Sequence, residues 1–373
     1  MEVDRFIDIL RADFYTGVPD SQLKALCNYL MDHYGIDQNH HIIAANEGNS
    51  VALAAGYYLA TGKIPVVYMQ NSGEGNIINP VTSLLNENIY AIPEIFIIGW
   101  RGEPNVKDEP QHIFQGKVTL KLLEDVDIEY FIITKDTTEQ EISEQMLRFN
   151  ALLNKGKSVA FIIKKDALSY SKKVEYKNDC IITREEVIKH IVDCSENDFI
   201  ISTTGKASRE LFEIREYNKQ SHKFDFLTVG SMGHCSSIAL GIALNKPDKK
   251  VWCIDGDGAV LMHLGAMAVI GNNNPSNYIH ILINNYAHET VGGMPTVANN
   301  INFLEIAKGC GYKYLSAVDN YEDLDKELNT IKNKKVLSFM EIKCKLGSRK
   351  DLGRPTTTPL ENKNLFMQAL KNG

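Results

Sequence analysis

The sequence lacks a long apolar run, a low-complexity tract and a block of like charges. No apolar stretch reaches the roughly 20 residues that a helix needs to cross a bilayer. The N-terminal stretch MEVDRFIDILRADF predicts an acidic amphipathic helix, whereas a secretory signal has a basic start and an apolar core. We therefore expect a globular, cytoplasmic protein.

An excess of positive charge is also missing. The chain has 40 Lys and Arg against 47 Asp and Glu, which gives a formal net charge of -7 at pH 7. This balance offers no electrostatic reason to expect a nucleic acid or an anionic membrane as partner. A small molecule is the better candidate ligand.

Paired cysteines are missing as well. The chain has 7 cysteines, an odd number, without a Cys-x-x-Cys spacing. They are Cys27, Cys180, Cys194, Cys235, Cys253, Cys310 and Cys344. This pattern supports neither a disulfide framework nor a zinc site. We predict reduced thiols that lie mostly in the core.

Short apolar runs alternate with amphipathic helical patterns in both halves of the chain. The runs cover residues 14–18, 41–45, 64–70, 94–100, 129–134 and 158–164, and then 198–204, 225–230, 250–256, 277–285, 312–318 and 335–344. The polar stretch KKDALSYSKKVEYKND separates the two halves. Such alternation predicts parallel sheets with helices on both faces.

These patterns predict an α/β fold with two doubly wound parallel-sheet domains. We place the first domain at 1–168, a linker at 169–181, and the second domain, with a C-terminal loop and helix, at 182–373. A length of 373 residues suits two cores. Because open α/β sheets bind ligands beyond the carboxyl ends of their strands, functional residues should lie there.

Several predicted strands end in small and polar residues. These ends read TTG at 203–205, GSMG at 230–233, GDGA at 256–259 and NN at 284–285. Backbone N–H groups at such turns, each opening a helix, form sites for an anion with several oxygens. Asp257 would repel a diphosphate unless a hard cation bridged them, and Mg²⁺ prefers carboxylate, neutral and phosphate oxygens. Asn285 supplies a neutral oxygen.

GDGA and the later NN resemble the metal-binding signature of thiamine-diphosphate-dependent enzymes. The resemblance implies that Asp257, Asn285 and the backbone carbonyl of Ala287 hold Mg²⁺. It also implies the fold of that family, with one pyrimidine-binding and one diphosphate-binding domain. Taken alone, the strings fit an Asp-Gly hairpin turn and a polar strand end equally well.

The segment ANEGNSVALAAGYYLATGK, residues 45–63, resembles a second part of the same enzymes. There a buried glutamate holds a ring nitrogen of the aminopyrimidine and drives it to the imino tautomer. The resemblance assigns this catalytic and cofactor-binding role to Glu47. The alternative for Glu47 is an acid that faces the dipole at a helix N-terminus.

Other residues match the same pattern. Met232 takes the place of the large apolar side chain beneath the bent cofactor, and its alternative is core filler. Four residues would line the diphosphate: Thr204, Gly205, Ser231 and Gly233. Their alternative is ordinary helix capping, which does not exclude the first role. Gly256, Gly258 and Ala259 are further residues that we assign to cofactor binding.

The chain leaves no room for the middle domain that most of these enzymes carry. It resembles the short decarboxylases of the superfamily that act on phosphonopyruvate or sulfopyruvate. The strings are GVPDS (17–21), QNSGEGN (70–76), IGWRGEPNVKDEPQH (98–112), VGGMPT (291–296) and GSRKDLGRPTTTP (347–359). The resemblance implies decarboxylation of 3-phosphonopyruvate to phosphonoacetaldehyde and CO₂, as in phosphonate biosynthesis. Two residues depart from the pattern: Tyr286 replaces an expected glycine, and Glu74 places an acid near an anion site.

The residues that we assign to substrate binding suit a dianionic 2-oxo acid. Arg101 offers a forked donor for a phosphonate or carboxylate, and its alternative is a surface ion pair with Glu103 or Asp108. The other residues that we assign to the substrate are Ser21, Asn71, Ser72, His112, Arg349 and Arg354. The last two lie either on a flap over the site or in a solvated basic run.

His112, His288 and Asp20 are candidates for relaying the proton that quenches the carbanion. An imidazole or a paired carboxyl can titrate near neutrality. Taken singly, the two histidines fit polar loop positions, and Asp20 fits the N-cap of the helix SQLKALCNYLMDHY.

The family resemblance also implies a homodimer or higher homo-oligomer, in which Glu47 and Asp257 serve one site from different chains. Three rival functions remain. They are decarboxylation of sulfopyruvate, carboligation of the carbanion to another carbonyl, and non-catalytic binding of a nucleotide or diphosphate.

Overall fold

The computed structural model describes residues 1–372, with the backbone alone for Asn372. The chain divides into two compact units, Met1–Glu175 (unit 1) and Tyr176–Gly373 (unit 2). The division falls within the predicted linker, and the exact domain boundaries at 168 and 182 stay a prediction. Gly373, the predicted end of the second domain, lies outside the described residues.

Unit 1 contains a six-stranded parallel sheet in the order β2-β1-β3-β4-β6-β5. Its strands are β1 (Tyr15–Gly17), β2 (His41–Ile43), β3 (Val66–Gln70), β4 (Ile95–Gly99), β5 (Glu129–Ile133) and β6 (Val159–Ile163). Its helices are α1 (Val3–Leu10), α2 (Lys24–His33), α3 (Glu47–Thr61), α4 (Glu74–Pro80), α5 (Pro110–Asp125) and α6 (Glu139–Leu153).

The apolar runs of unit 1 form its central strands because helices cover both faces of the sheet. Every residue of β4 and of β6 is buried. Phe161 of β6 makes edge contacts with Phe6 of α1 and Phe149 of α6. The predicted N-terminal amphipathic helix is α1, whose buried residues recur at helical spacing.

Unit 2 contains a second six-stranded parallel sheet in the order β13-β14-β10-β9-β7-β8. Its strands are β7 (Phe199–Ser202), β8 (Asp225–Leu227), β9 (Val251–Gly256), β10 (Tyr278–Asn284), β13 (Tyr314–Val318) and β14 (Ser338–Lys343). A separate antiparallel pair consists of β11 (Ala287–His288) and β12 (Met294–Pro295). The helices are α7 (Arg184–Ser195), α8 (Lys206–Tyr217), α9 (Cys235–Asn245), α10 (Asp257–Met262), α11 (Gly265–Asn273), α12 (Phe303–Cys310), α13 (Tyr321–Asn333) and α14 (Pro359–Asn372).

The two main sheets have the same topology. When the strands of each main sheet are numbered from one in chain order, both read 2-1-3-4-6-5. The structure therefore confirms the predicted pair of doubly wound parallel sheets. In each unit the strand order reverses between the first and third strands, which is the place where such sheets bind ligands. The pair β11–β12 was not predicted, because strands of two residues have no measurable periodicity.

Four of the seven cysteines, Cys27, Cys235, Cys253 and Cys344, are buried, and the other three are partly exposed. Among residues 1–372, none of the helices combines the length and the apolarity that a bilayer-spanning segment requires.

Candidate active site

Glu47 lies beyond the carboxyl end of β2, as the first residue of α3. Its side chain is 5% exposed, and Oε2 accepts a 2.6 Å hydrogen bond from Asn76 Nδ2. A Cβ at Gly73 would lie 2.5 Å from Glu47 Oε1, so glycine provides the space for the carboxyl. Burial raises the pKa of Glu47. Glu47 therefore lies at a helix N-terminus, as our alternative for this residue expected, and its carboxyl group is also buried.

Asp20 lies between β1 and α2 and is fully buried. Its Oδ1 accepts a 2.6 Å hydrogen bond from Gln70 Nε2, and Gln70 Oε1 accepts one from Ser72 Oγ at 2.9 Å. Burial raises the pKa of Asp20. Because α2 begins at Lys24 with Leu23 at its N-cap, the alternative that Asp20 caps this helix is wrong.

Arg101 follows β4 and forms a two-point ion pair with Asp108. Nε donates to Oδ2 at 2.8 Å and Nη2 donates to Oδ1 at 2.5 Å, while Nη1 donates to Ser21 Oγ at 3.1 Å. Glu103 pairs with Lys164 instead. The ion pair that we weighed as the alternative is therefore present for Asp108 and wrong for Glu103.

Asn71 holds the turn that carries Arg101. Its Nδ2 donates to the Arg101 carbonyl and to Thr119 Oγ1, both at 2.8 Å, and its Oδ1 accepts from the Arg101 N–H at 3.1 Å. The side chain is fully buried. A direct contact between Asn71 and substrate would therefore require these hydrogen bonds to break.

His112 lies in the first turn of α5, against the turn at Gly102. Gly102 has φ +68°, and a Cβ there would lie 1.8 Å from the His112 carbonyl oxygen. Desolvation, together with the nearby charge of Arg101, lowers the pKa of His112 to about 4. Desolvation therefore favours the neutral imidazole at pH 7, and the proton-relay role of His112 stays a prediction.

Glu74, the acid that departs from the family pattern, begins α4. Its side chain is 1% exposed, and Gln115 Nε2 lies 3.4 Å from its Oε2. Burial raises the pKa of Glu74 to about 9. The carboxyl is therefore protonated at neutral pH and adds no negative charge to unit 1.

Asp257 directly follows β9 and begins α10. The side chain is 2% exposed, and its Oδ2 accepts a 2.5 Å hydrogen bond from Thr296 Oγ1. Burial raises the pKa of Asp257 to about 7. Because the chain passes from a strand into a helix here, the alternative of an Asp-Gly hairpin turn is wrong.

Asn285 follows β10, whose end pairs with the end of β9 through Ile283 and Gly256. Its Oδ1 accepts a hydrogen bond from the Ala287 N–H at 3.1 Å. Tyr286, between them, has φ +63°. This left-handed conformation is one that glycine adopts without strain, which explains the glycine expected at this position.

Glu289 accepts hydrogen bonds from Asn285 and from two cationic side chains. Its Oε2 accepts from Asn285 Nδ2 at 2.8 Å and from Arg184 Nη1 at 2.6 Å, and its Oε1 accepts from Lys206 Nζ at 2.8 Å. Arg184 also forms a two-point pair with the buried Glu210. Although burial opposes it, Arg184 lowers the pKa of Glu289, so this carboxylate stays ionised.

Met232, Gly258 and His288 lie together in unit 2. A Cβ at Gly258 would lie 3.1 Å from His288 Nδ1 and 3.3 Å from Met232 Cε. The Met232 side chain is half-buried, so it is not core filler. Desolvation lowers the pKa of His288 to about 4. As for His112, desolvation favours the neutral imidazole, and the proton-relay role of His288 stays a prediction.

The other predicted diphosphate-lining residues also follow strands of unit 2. Thr204 Oγ1 donates to the Val229 carbonyl at 2.8 Å, and Ser231 Oγ lies 3.1 Å from His234 Nδ1. The helices α8 and α9 have no side-chain cap. The capping alternative for Thr204 and Ser231 is therefore wrong. Gly205, with φ +88°, lies at the N-cap of α8, and Gly233 has φ +84°. Ala259 is buried in α10.

The segment with Arg349 lies against α7 and α8. Arg349 forms ion pairs with Glu185, Glu213 and Asp351, and Arg209 donates to the Gly353 carbonyl at 2.5 Å. Arg349 is thus an ion-paired residue in this conformation. Arg354 is exposed at the end of the same segment. A flap that closes over the site stays a prediction.

Segments of both units match domains of one protein family. Residues 3–124 match the family described as "Thiamine pyrophosphate enzyme, N-terminal TPP binding domain", and residues 203–342 match the corresponding "C-terminal TPP binding domain". This chain belongs to the thiamine pyrophosphate enzymes. Thiamine pyrophosphate and thiamine diphosphate are two names for one compound, and the matched segments contain Glu47, Asp257 and Asn285.

Curated relatives of this thiamine pyrophosphate enzyme include two kinds of decarboxylase. Phosphonopyruvate decarboxylase of Streptomyces viridochromogenes is 32% identical over 92% of this chain and 88% of that protein. Sulfopyruvate decarboxylase of Methanosarcina acetivorans is 26% identical over 92% of each. Sulfopyruvate decarboxylase subunit beta of Methanocaldococcus jannaschii is 37% identical over 50% of this chain and 97% of that subunit.

Sequence reasoning missed several partners of the candidate groups in this thiamine pyrophosphate enzyme. Asn76, which binds Glu47, and Thr296, which binds Asp257, lie inside the quoted strings QNSGEGN and VGGMPT. Those strings were therefore an available signal. Asn178, in the predicted linker, donates to the carbonyls of Asn285 and Cys344. No local pattern points to that contact.

Replacing Glu74 with Gln tests its protonated state in this thiamine pyrophosphate enzyme. Its pKa is about 9 in the folded protein and roughly 4.3 when unfolded. The resulting stability is fully present below the unfolded value and is lost as the pH rises through the folded value. Thermal unfolding of both proteins should show the wild-type Tm falling relative to that of Glu74→Gln between roughly pH 5 and roughly pH 9.

The control for this comparison is Glu144→Gln, at an exposed position of α6. Its Tm should follow the wild type at every pH. A Tm difference between wild type and Glu74→Gln that stays constant over this pH range would show that Glu74 is ionised in the folded protein.

Proposed function

We propose that this chain catalyses the thiamine-diphosphate- and Mg²⁺-dependent decarboxylation of 3-phosphonopyruvate to phosphonoacetaldehyde and CO₂. The full-length likeness to a phosphonopyruvate decarboxylase supports the substrate. One structural observation carries the catalytic part: Glu47 is a buried carboxyl group, held by Asn76, at the position where the family places its activating acid.

The contacts of Glu47 fit the proposed role. Bound thiamine diphosphate supplies a heterocycle that accepts the electrons left behind when CO₂ departs. The Asn76 amide donates to Oε2 of Glu47 and fixes its position. Gly73 has no side chain that would collide with Oε1 of the same carboxyl group. The raised pKa favours the protonated form, so Glu47 can hold a proton for a ring nitrogen and return it.

The oxygens proposed for Mg²⁺ also fit that ion. A carboxylate from Asp257, an amide oxygen from Asn285 and the carbonyl of Ala287 are hard neutral or anionic ligands of the type that Mg²⁺ prefers. Burial disfavours the ionised form of the Asp257 carboxyl, so a nearby cation would stabilise the carboxylate. Glu289 binds the NH₂ group of Asn285 and thereby orients the amide oxygen.

Arg101 would orient the anionic end of the substrate. Asp108 balances the guanidinium charge, so Arg101 contributes directed N–H groups more than net positive charge. Ser21 Oγ, which binds the same guanidinium, would extend this donor set. Among the proton-relay candidates, Asp20 is the one whose protonated form burial favours, because desolvation raises the pKa of its carboxyl and lowers the pKa of the two histidines.

The proposal includes self-association into a homodimer or a larger homo-oligomer. The family resemblance implies that Glu47 of one copy and Asp257 of another serve one site. The Methanocaldococcus relative, which is named as a subunit, matches about half of this chain, so the activity there also involves more than one chain. The cytoplasmic location stays a prediction.

Rates with phosphonopyruvate, sulfopyruvate and pyruvate, measured side by side, test the substrate. We expect the highest kcat/KM with phosphonopyruvate, and loss of activity after chelation of Mg²⁺ with recovery on adding it back. A higher kcat/KM with sulfopyruvate would identify sulfopyruvate as the substrate. A product in which the substrate carbanion is joined to an added aldehyde would indicate carboligation.

Glu47→Gln tests the catalytic role. The substitution keeps the size and the hydrogen-bonding capacity of the side chain but removes the transferable proton, so turnover should fall roughly 10²–10⁴-fold. Binding of thiamine diphosphate, measured by calorimetry in the presence of Mg²⁺, should persist. Glu144→Gln is the control with normal turnover. Full activity of Glu47→Gln would show that Glu47 is not the activating acid, and only a wild-type protein that binds thiamine diphosphate without any turnover would indicate the non-catalytic binding module.

Glu289→Gln tests the orientation of Asn285. Loss of the carboxylate weakens the contacts of residue 289 with Arg184 and Lys206 and with the NH₂ group of Asn285, so the Mg²⁺ concentration needed for cofactor binding should rise about 10–100-fold. Glu210→Gln is the matched control, because Glu210 also pairs with Arg184 but does not contact Asn285. Equal weakening by both variants would assign the effect to Arg184 and not to the orientation of Asn285.

A further inference from the structure

Four side chains with metal-binding atoms meet in the interior of unit 2, away from solvent. Cys235 begins α9, Cys253 and Asp255 lie on β9, and His280 lies on β10. Alternate residues of a strand share a face, which places Cys253 and Asp255 side by side. The parallel register puts His280 next to Cys253. We call these four residues the thiol cluster.

Three residues of the thiol cluster place their ligand atoms around a common centre, and His280 adjoins them through Asp255. The two sulfurs lie 3.7 Å apart, and the ligand atoms of Cys235, Cys253 and Asp255 all lie within 4.8 Å of one another. His280 Nε2 lies 3.6 Å from Asp255 Oδ2. None of the four residues is more than 2% exposed.

Two polar atoms of the thiol cluster lack a hydrogen-bond partner among the described residues. They are Asp255 Oδ2 and His280 Nε2. Leaving a buried polar atom without a hydrogen-bond partner destabilises the folded protein, and more so when the group is charged. A carboxylate oxygen of Asp255 lies within 4.8 Å of both sulfurs, and His280 Nε2 lies 3.6 Å from Asp255 Oδ2, so a cation bound at the sulfurs would lie near both unsatisfied atoms.

The second atoms of these side chains are already engaged. His280 Nδ1 lies 3.0 Å from the Tyr312 hydroxyl, and Asp255 Oδ1 accepts from the Gly256 N–H at 3.0 Å. If Nδ1 carries the proton and donates it to Tyr312, the lone pair lies on Nε2. A metal-binding histidine has this arrangement, with its other nitrogen held by an outer partner.

We propose that Cys235, Cys253, Asp255 and His280 bind a thiophilic divalent cation, best matched by Zn²⁺. Thiolate, imidazole and carboxylate are its ligands, and at Zn–S distances of about 2.3 Å two sulfurs of a tetrahedral site lie about 3.8 Å apart. Binding forms two metal–sulfur bonds and releases the two thiol protons to solvent.

The thiol cluster is distinct from the oxygen ligands proposed for Mg²⁺. Mg²⁺ takes oxygen ligands, whereas thiolates select softer ions such as Zn²⁺. The cluster shares no ligand with Asp257, Asn285 and the Ala287 carbonyl. Its occupancy therefore does not depend on the proposed reaction and can be measured without turnover.

Titration of the metal-free full-length protein with Co²⁺ tests this proposal. We expect one cobalt per chain, with thiolate-to-cobalt charge-transfer absorption in the near ultraviolet and the visible bands of a tetrahedral ion. Excess Mg²⁺ should leave the spectrum unchanged, and Zn²⁺ should abolish it. Elemental analysis of protein produced in zinc-supplemented medium should find about one zinc per chain.

Cys235→Ser and Cys253→Ser should each reduce the charge-transfer intensity and weaken cobalt binding at least about tenfold. Cys344→Ser, at another fully buried cysteine of unit 2, is the matched control and should keep the full spectrum. If a variant does not fold, the wild-type titration still decides. A wild-type protein with neither the cobalt spectrum nor bound zinc would overturn the proposal and leave an Asp255–His280 ion pair only.

Discussion

The burial of carboxyl groups at the carboxyl ends of parallel strands is the constraint on which both units depend. A buried carboxyl needs hydrogen-bond donors, because the interior disfavours its charge. Asn76 donates a hydrogen bond to Glu47, Gln70 donates one to Asp20, and Thr296 donates one to Asp257. In each case the donor comes from a distant segment of the chain. The position of the acid therefore depends on the assembled unit.

The sheet order was the part of the fold that needed the structure, whereas the strands were visible in the sequence. Strands covered on both faces, such as β4 and β6, are continuous apolar runs that stand out between amphipathic helices. The start of α2 was not predictable in the same way. The polar residues Asp20 and Ser21 suggest a cap, yet tertiary hydrogen bonds to Gln70 and Arg101 use both side chains.

The positions of Glu47, Asp257 and Asn285 followed from motifs, but their chemical states did not. Protonation depends on desolvation, which a sequence does not display. His112 and Glu74 illustrate this, because burial keeps the first neutral and the second protonated at pH 7. Ion pairing is equally hidden: Arg101 has an acid at 103 and another at 108, and only the turn decides that Asp108 is the partner.

The same reasoning explains how one strand can serve two cation environments. Cysteine spacing argued against a metal site, because that rule reads ligands close together in sequence, whereas the thiol cluster draws them from α9, β9 and β10. Asp255 faces the cluster with Oδ2 and holds the Gly256 N–H with Oδ1. Since Gly256 precedes Asp257, a cation on the sulfurs would fix the turn from which the proposed Mg²⁺ ligand projects. The different hardness of the two ligand sets would then direct Mg²⁺ and the thiophilic ion to separate sites.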